Sequence, residues 1–207
     1  SYNYHSAVHR RTTGGVYEIF AGLDAGEGSS GDGGFATQAT LNDPFGLTFD
    51  KSGNMYIANR ASNNVRVVDP LGRIDTFAGT GSPWDSGDNG PAKQAGLRMP
   101  TDVAVDDAGN VYISTHDSIR RVGTDGIITT WVGNLSEPAQ VAFGPDQELY
   151  FAETGSGKIW RVEEGENGNS LVHIAGRGNG CSVTDGDLGN ATAACIPSPG
   201  GLLIDEE

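Results

Sequence analysis

The chain has 207 residues, 32 of them glycine, and a formal net charge of −14. This length is sufficient for a sizeable hydrophobic core, and the glycine content indicates many tight turns. The negative charge repels phosphate backbones and anionic lipids, which bind clustered Lys and Arg, so we expect neither nucleic acid nor a membrane surface as a partner. No run reaches the roughly 18 to 20 apolar residues of a membrane span, and we therefore predict none.

Residues 1–22 hold two extended runs separated by a Gly-Gly turn. A constant offset of 57 places Val8 on Val65 and Gly22 on Gly79 of a longer stretch that follows. The segment is therefore predicted to supply the third and fourth strands of a repeat unit.

Residues 43–79 form the complete unit. Four runs rich in β-branched and aromatic residues are separated by turn residues, which predicts a four-stranded antiparallel meander. Met55 with Ile57, and Tyr56 with Ala58, make one run apolar on both alternating faces. Such a pattern is typical of a sheet that is covered on both sides.

Further copies follow along the chain. Two complete units are predicted at residues 100–133 and 138–176, and residues 200–207 match the first strand of another unit. Repeats of about 40 to 60 residues, each a four-stranded sheet apolar on both faces, predict a β-propeller in which neighbouring blades cover one another.

Long connections at residues 23–42, 80–99 and 177–199 are repeats as well. Each contains Gly-Asp-x-Gly, which favours a tight turn with positive φ, followed by small residues that favour one helical turn against a sheet edge. We expect the connections to emerge together on one side of the molecule.

The pattern in residues 43–79 of Pro, Gly-Leu-Thr-Phe-Asp, Gly-Asn-Met-Tyr-Ile-Ala-Asn and a closing Phe-Ala-Gly resembles the NHL-repeat β-propellers. The resemblance covers essentially the whole chain. It implies an all-β fold of four-stranded antiparallel blades, in a ring of six blades that extends beyond these residues.

The leading functional hypothesis is a non-catalytic extracellular propeller that serves as an interaction or scaffold module of a larger protein. No HExxH, GxSxG or GxxxxGK[ST] pattern is present, so none of these catalytic motifs suggests a reaction. Partners would be other proteins, glycans or copies of the chain itself. Phe35, Trp84 and Arg98 in the long connections are the candidate contacts, and Trp84 is the foremost because its Gly- and Ser-rich surroundings offer little sheet to pack against.

The alternative is an enzyme. Similarity to propeller lyases and lactonases would imply a divalent metal near the ring axis, held by residues from several blades. Asn59, His116 and Glu153 are the candidates, because all three follow the second strand of a unit at nearly equivalent places. A water-filled propeller channel would show the same polar residues.

Acidic residues in the long connections suggest calcium as an alternative to our prediction of no cofactor, because Ca²⁺ prefers oxygen ligands. The candidates are Asp85, Asp88, Asp185 and Asp187. Their spacing does not match an EF-hand, and turn residues that bond to local backbone amides explain the same pattern.

Cys181 and Cys195 are the only cysteines and lie 14 positions apart in the third long connection. A disulfide between them would stabilise the fold by about 3 kcal/mol in the chain-entropy model. Two glycosylation sequons begin at Asn134 and Asn190, both in predicted surface connections. Together with the acidic composition, these features predict a secreted or cell-surface protein.

Overall fold

A computed structural model describes residues 6–23, 26–165, 168–178, 189–202 and 204. Its regular structure over these ranges is β, apart from four single turns of 3₁₀ helix. These turns span Ala36–Gln38, Arg60–Ser62, Ala92–Gln94 and Ala191–Ala193. Within the described ranges, no helix has the length and apolarity needed to cross a bilayer.

The strands are short, and we number them in chain order. They are β1 Val8–Arg11, β2 Tyr17–Ala21, β3 Pro44–Phe49, β4 Met55–Asn59, β5 Asn64–Val68, β6 Ile74–Ala78, β7 Gly90–Pro91, β8 Asp102–Val105, β9 Val111–Ser114, β10 Ile119–Val122, β11 Ile127–Val132, β12 Pro138–Phe143, β13 Leu149–Glu153, β14 Lys158–Glu163 and β15 Ser170–Ala175.

The strands form separate antiparallel meanders. β3 to β6 make one four-stranded sheet, β12 to β15 make another, and β8 to β11 make a third that carries β7 as an additional outer strand. β1 and β2 pair as a two-stranded ribbon. The predicted all-β fold of four-stranded antiparallel blades is confirmed.

The turn between the first two strands of a blade is held by an aspartate. Asp50 Oδ1 accepts hydrogen bonds from the backbone N–H groups of Ser52 and Asn54, both at 2.9 Å. Asp50 Oδ2 accepts the Tyr56 hydroxyl at 3.3 Å, and Asp106 holds the corresponding turn of the next blade. Because all these partners are close in sequence, each turn is encoded locally.

The core lies between adjacent sheets. One cluster joins Ala58 and Val65 of one blade to Ile113 of the next, and residues of the long connection, including Ala92 and Leu97, fill the space between them. All five side chains are at most 3% exposed. Each blade therefore buries its apolar face only because a neighbour covers it.

We expected from the sequence that the long connections emerge together on one side of the molecule, but the structure differs. Each of the first two runs along the outer strand of the following blade and returns. β7 pairs with the start of β11, and Phe35 forms the corresponding bridge to Arg73. A close approach within the connection requires Gly87, which has φ +82° and whose Cβ would lie 2.9 Å from the Cα of Ala95.

The C-terminal segment differs from its expected strand. Residues 200–202 and 204 have no strand assignment, although the Leu202 N–H donates to Gln140 Oε1 at 2.5 Å. The rest of the segment lies outside the described residues. A further blade here, and the six-bladed ring, stay predictions.

Candidate functional site

One face of the molecule, which we call the upper face, carries the turns that follow the second strands of the three blades. These turns span residues 60–63, 115–118 and 154–157. A cleft of about 290 Å³ lies here between the blades. Its lining includes Phe45, Arg60, Met99, His116, Glu137 and Thr154.

One residue from the turn after each second strand reaches this cleft. Arg60, His116 and Thr154 hold equivalent places in their blades and all three line it. The backbone N–H of His116 donates to the backbone carbonyl of Arg98 at 2.9 Å. Of the three candidates for an enzyme site, the structure therefore places only His116 in the cleft.

Asn59 is fully buried and its side-chain amide is engaged in structure. Asn59 Oδ1 accepts the Asn42 N–H at 2.6 Å, and Nδ2 donates to Asn64 Oδ1 at 2.9 Å and to the Gly28 carbonyl at 3.1 Å. These bonds attach both ends of the preceding connection to the blade. Asn59 acts as an anchor and leaves no free donor for a ligand.

Glu153 has the same role in its own blade. It is 6% exposed, and Oε1 accepts the Ser136 N–H at 2.7 Å. Oε2 accepts the Ser156 hydroxyl at 2.6 Å and the Trp160 Nε1–H at 2.7 Å. The carboxylate is therefore occupied by three donors.

Thr115, rather than His116, occupies the position of Asn59 and Glu153. The Thr115 hydroxyl donates to Asp85 Oδ2 at 2.6 Å. Asp85 Oδ2 also accepts a hydrogen bond from the Ser118 hydroxyl at 2.9 Å. Polar residues at the ends of the second strands thus tie down connections. A shared metal site does not fit the three candidates Asn59, His116 and Glu153, because the side chains of Asn59 and Glu153 are already hydrogen-bonded to protein groups.

The calcium candidates Asp85 and Asp88 also have protein partners. Asp88 Oδ1 accepts from Arg120 Nη2 at 2.5 Å. Burial alone would raise the pKa of Asp88, but hydrogen bonds from Thr130 and the Arg120 guanidinium outweigh it and lower the pKa below its usual 3.8. Within the described ranges, no three His, Cys, Asp or Glu side chains are grouped as a metal site. Asp185 and Asp187 lie outside those ranges.

Trp84 and Arg98 lie together on the upper face. Trp84 is 66% exposed, and the Arg98 Cζ lies 5.7 Å from the centroid of its ring. Phe35 is separate from them. It is 53% exposed, but it lies on the outer edge of a blade with Arg73 stacked 5.6 Å from its ring centroid.

Sequence reasoning missed Phe45 and Met99, which are 52% and 45% exposed and line the cleft. Phe45 was assigned to a strand of a covered sheet. Phe45, Leu47 and Phe49 alternate along β3 on the face turned away from the next blade, where β1 and β2 are the two strands present, so their exposure is not evidence of a free surface. Met99 precedes a proline with a positive φ of 47°, and no sequence pattern predicts its exposure.

The predicted covalent sites are only partly within the described residues. The sequon residues Asn134 and Asn190 are both exposed. Cys181 lies outside the described residues, so its pairing with Cys195 stays a prediction.

Comparison with known families links the chain to the teneurins. The family model of the Teneurin NHL domain matches residues 81–138. The chain is 28% identical to teneurin-4 of Mus musculus over 210 aligned positions, covering 84% of this chain and 8% of that protein. Teneurin-1 of Homo sapiens is 25% identical over 98% of this chain and 9% of its own length. The chain thus spans less than a tenth of these relatives.

Solved structures support the fold. A gluconolactonase from Xanthomonas campestris superposes with a TM-score of 0.62 at 18% identity, over 88% of this chain and 57% of that one. A virginiamycin B lyase from Staphylococcus aureus gives 0.56 at 17% identity, over 83% and 50%. At such identities the likeness shows the propeller fold alone. Taken with the family model, it confirms the resemblance to the NHL-repeat β-propellers, and within them the chain is similar to the teneurin NHL domain.

Proposed function

We propose that this chain is a non-catalytic interaction module of a larger extracellular protein, with the upper face as its contact surface. One observation carries the proposal. Trp84 and Met99 expose about half or more of their side chains there, whereas the side chains of Asn59 and Glu153 are occupied by structural hydrogen bonds. Large exposed aromatic side chains beside a cleft are typical anchors of binding interfaces.

Similarity to the teneurin NHL domain supports a binding role within a longer chain. The partner surface proposed from the sequence is retained for Trp84 and Arg98. Phe35 is assigned to a separate position, because it lies on the outer edge and not beside the cleft.

A lyase or lactonase reaction is not the function we propose. Its expected ligands would have to release the bonds that hold the connections before they could bind a metal. His116 alone remains available in the cleft, and a single imidazole does not make a metal site of the kind that several blades would share.

The test is a binding screen with the full-length protein as a multivalent probe against arrayed ectodomains, glycans and the protein itself. We expect Trp84→Ala and Met99→Ala to weaken capture at least tenfold. Leu71→Ala is the matched control, because Leu71 is 78% exposed on a turn at the opposite end of its blade. Lactone hydrolysis with added divalent cations should stay at background. Turnover above background, or capture that both upper-face substitutions leave intact, would refute the proposal.

An extracellular location is supported by the two exposed sequons at Asn134 and Asn190 and by the cysteine pair. The same protein, purified from secreting cells, should lose mass on glycosidase treatment. No change in mass would contradict this location.

A further inference from the structure

The three blades differ at the outer edge of their fourth strands. Ile74, Ile128 and Leu171 hold the same register there, each opposite a valine of the third strand. In the first two blades the preceding long connection covers this position, and Ile74 and Ile128 are 1% and 0% exposed. Leu171 lies in the blade that follows the short connection, and it is 37% exposed. The edge that a connection covers in two blades is therefore uncovered in the third.

The backbone of this edge is uncovered as well. In the first two blades the connection donates to it, from the Gly33 N–H to the Ile74 carbonyl at 2.9 Å and from the Asn89 N–H to the Ile128 carbonyl at 2.8 Å. Because Leu171 has the same register, its N–H and carbonyl point away from β14. Among the residues that the structure describes, no strand pairs with the outer side of β15. An unpaired edge of this kind can accept a further strand.

A cavity lies beside this edge, between the second and third blades. Ala92 and Leu97 of the long connection fill the space between the first and second blades. Between the second and third blades, Tyr112, Trp131 and Val162 instead line a cavity of about 260 Å³. Both of these blades have all four strands, so the cavity is a property of their interface. We call the cavity and the adjoining edge of β15 the outer groove.

The outer groove has an excess of acidic side chains. The charged residues of the cavity lining and their bonded partners are Asp106, Arg121, Glu148, Arg161, Glu163 and Glu164. Arg161 contacts both Glu148 and Glu163. Glu164 lines the cavity and has no basic partner within the described part of the chain. A basic side chain on a ligand could therefore pair with Glu164 without displacing an existing ion pair.

We propose that the outer groove binds an extended segment of a partner protein by strand addition, with small apolar side chains in the cavity and one Lys or Arg against Glu164. The chain's own connections define this ligand. They cover the same edge of the other two blades, place alanines in the core beside it, and in one case pair Lys93 with Asp75 of the adjoining blade at 3.5 Å.

The bound segment would extend a core that already exists between the two blades. Asn169 Nδ2 donates to the Trp131 carbonyl at 2.9 Å and so bridges the groove, and this bond would have to open on binding. The outer groove is separate from the upper face, so the inference does not rest on the proposed function.

The test is hydrogen exchange and titration calorimetry of the full-length protein with a synthetic peptide that has the sequence of residues 87–98. A scrambled peptide is the control. We expect the peptide, and not its scrambled form, to slow exchange at the Leu171 N–H. Glu164→Lys should weaken binding at least tenfold because it repels the lysine of the peptide, and Leu71→Ala should leave binding unchanged.

Two variants at Leu171 test strand addition itself. Leu171→Pro should abolish binding because it removes the outward N–H, and proline is tolerated on an edge strand where that group faces away from the sheet. Should Leu171→Pro fail to fold, Leu171→Ala keeps the backbone and should weaken binding several-fold.

Equal binding of the scrambled peptide, unchanged exchange at Leu171, or indifference to both Glu164→Lys and Leu171→Ala would overturn the inference. A Leu171 N–H that is already protected in the free full-length protein would show that another segment of the same chain covers the edge, which also refutes binding of a partner. Trp84→Ala should leave peptide binding intact, so the outcome here is distinguishable from that of the upper-face proposal.

Discussion

The blades at residues 100–133 and 138–176 attach their preceding connections in different ways. The first follows a long connection, and its third strand carries Arg120, which is buried and bonded to Asp88 at 2.5 Å. The second follows a short connection, and Trp160 occupies the corresponding place on its third strand. The Trp160 Nε1–H donates to Glu153.

The difference shows that the side chain at this position of the third strand stabilises the preceding connection and not the sheet itself. Arg120 also donates to the carbonyls of Gly96 at 3.1 Å and Ser86 at 3.2 Å, both of which belong to the folded connection. Arg66 makes the same kind of bond to Asp32 in the blade that follows the other long connection. Where the connection is short, no such carbonyls exist, and an indole fills the space.

The largest effect is expected for Arg120→Met. It removes the buried cation, leaves Asp88 without its ion-pair partner and leaves the Ser86 carbonyl without the guanidinium donor, so we expect a loss of about 3 to 5 kcal/mol in the free energy of unfolding. Urea denaturation measures it. The adjacent Arg121→Met is the control, with an expected loss of about 1 kcal/mol, because Arg121 is partly exposed, stacks on aromatic rings and donates to the Tyr112 hydroxyl at 3.2 Å. Equal losses would contradict a special role for Arg120.

A smaller effect is expected at Asp102, which joins the two blades. It is 9% exposed, and its Oδ2 accepts the Val141 N–H at 3.1 Å. Burial raises the pKa of Asp102 from 3.8 to about 6, although the N–H groups of Val141 and Val103 oppose the shift. The native state therefore holds this proton more tightly than the unfolded chain, and stability falls as pH rises from 4 through 6.

The size of that fall is roughly 3 kcal/mol. Asp102→Asn keeps an acceptor for Val141 and should remove most of the slope in unfolding free energy between pH 4 and 7. Urea denaturation at each pH measures the slope, and Asp107→Asn, at an exposed site, controls for general charge effects. An unchanged slope in Asp102→Asn would refute this account.

The smallest effect is expected for Glu153→Gln. The carboxylate accepts hydrogen bonds from three donors, and the NH₂ group of the new amide would face at least one of them donor to donor. We therefore expect a loss of about 2 kcal/mol in the free energy of unfolding. Hydrogen exchange at the Ser136 N–H should accelerate, because that group anchors the short connection. The exposed Glu164→Gln is the matched control. Protection of Ser136 that survives the substitution would show that the connection is held by other contacts.

Much of the fold could be predicted because its signals are local. Asp50 and Asp106 close their turns with partners at most six positions away, and β-branched residues alternate with turn residues at a repeating period. The resemblance to NHL-repeat propellers depended on the same short motifs. The exposed position of Trp84 was predicted for a similar reason, since its neighbours in sequence cannot cover an indole.

The candidate site could be predicted only in part. In the sequence, Asn59 and Glu153 are simply polar residues at the ends of strands. Their hydrogen-bond partners, Asn42 and Gly28 for Asn59 and Ser136 for Glu153, are distant in sequence, so no local pattern predicts these bonds. Phe35 and Trp84 share similar surroundings in sequence, yet one lies on an outer edge and the other on the upper face.

By itself the sequence determined the propeller class, the local turns and an exposed aromatic side chain in a long connection, because each depends on residues within a few positions of one another. The tertiary structure alone decided that Arg66 and Arg120 are buried, that each pairs with an aspartate more than thirty positions earlier, and that the side chains of Asn59 and Glu153 hold connections in place. The physical reason is the folding of each long connection back along the next blade. This brings buried carbonyls and carboxylates to strands that are distant in sequence, and burial forces every one of them to find a partner.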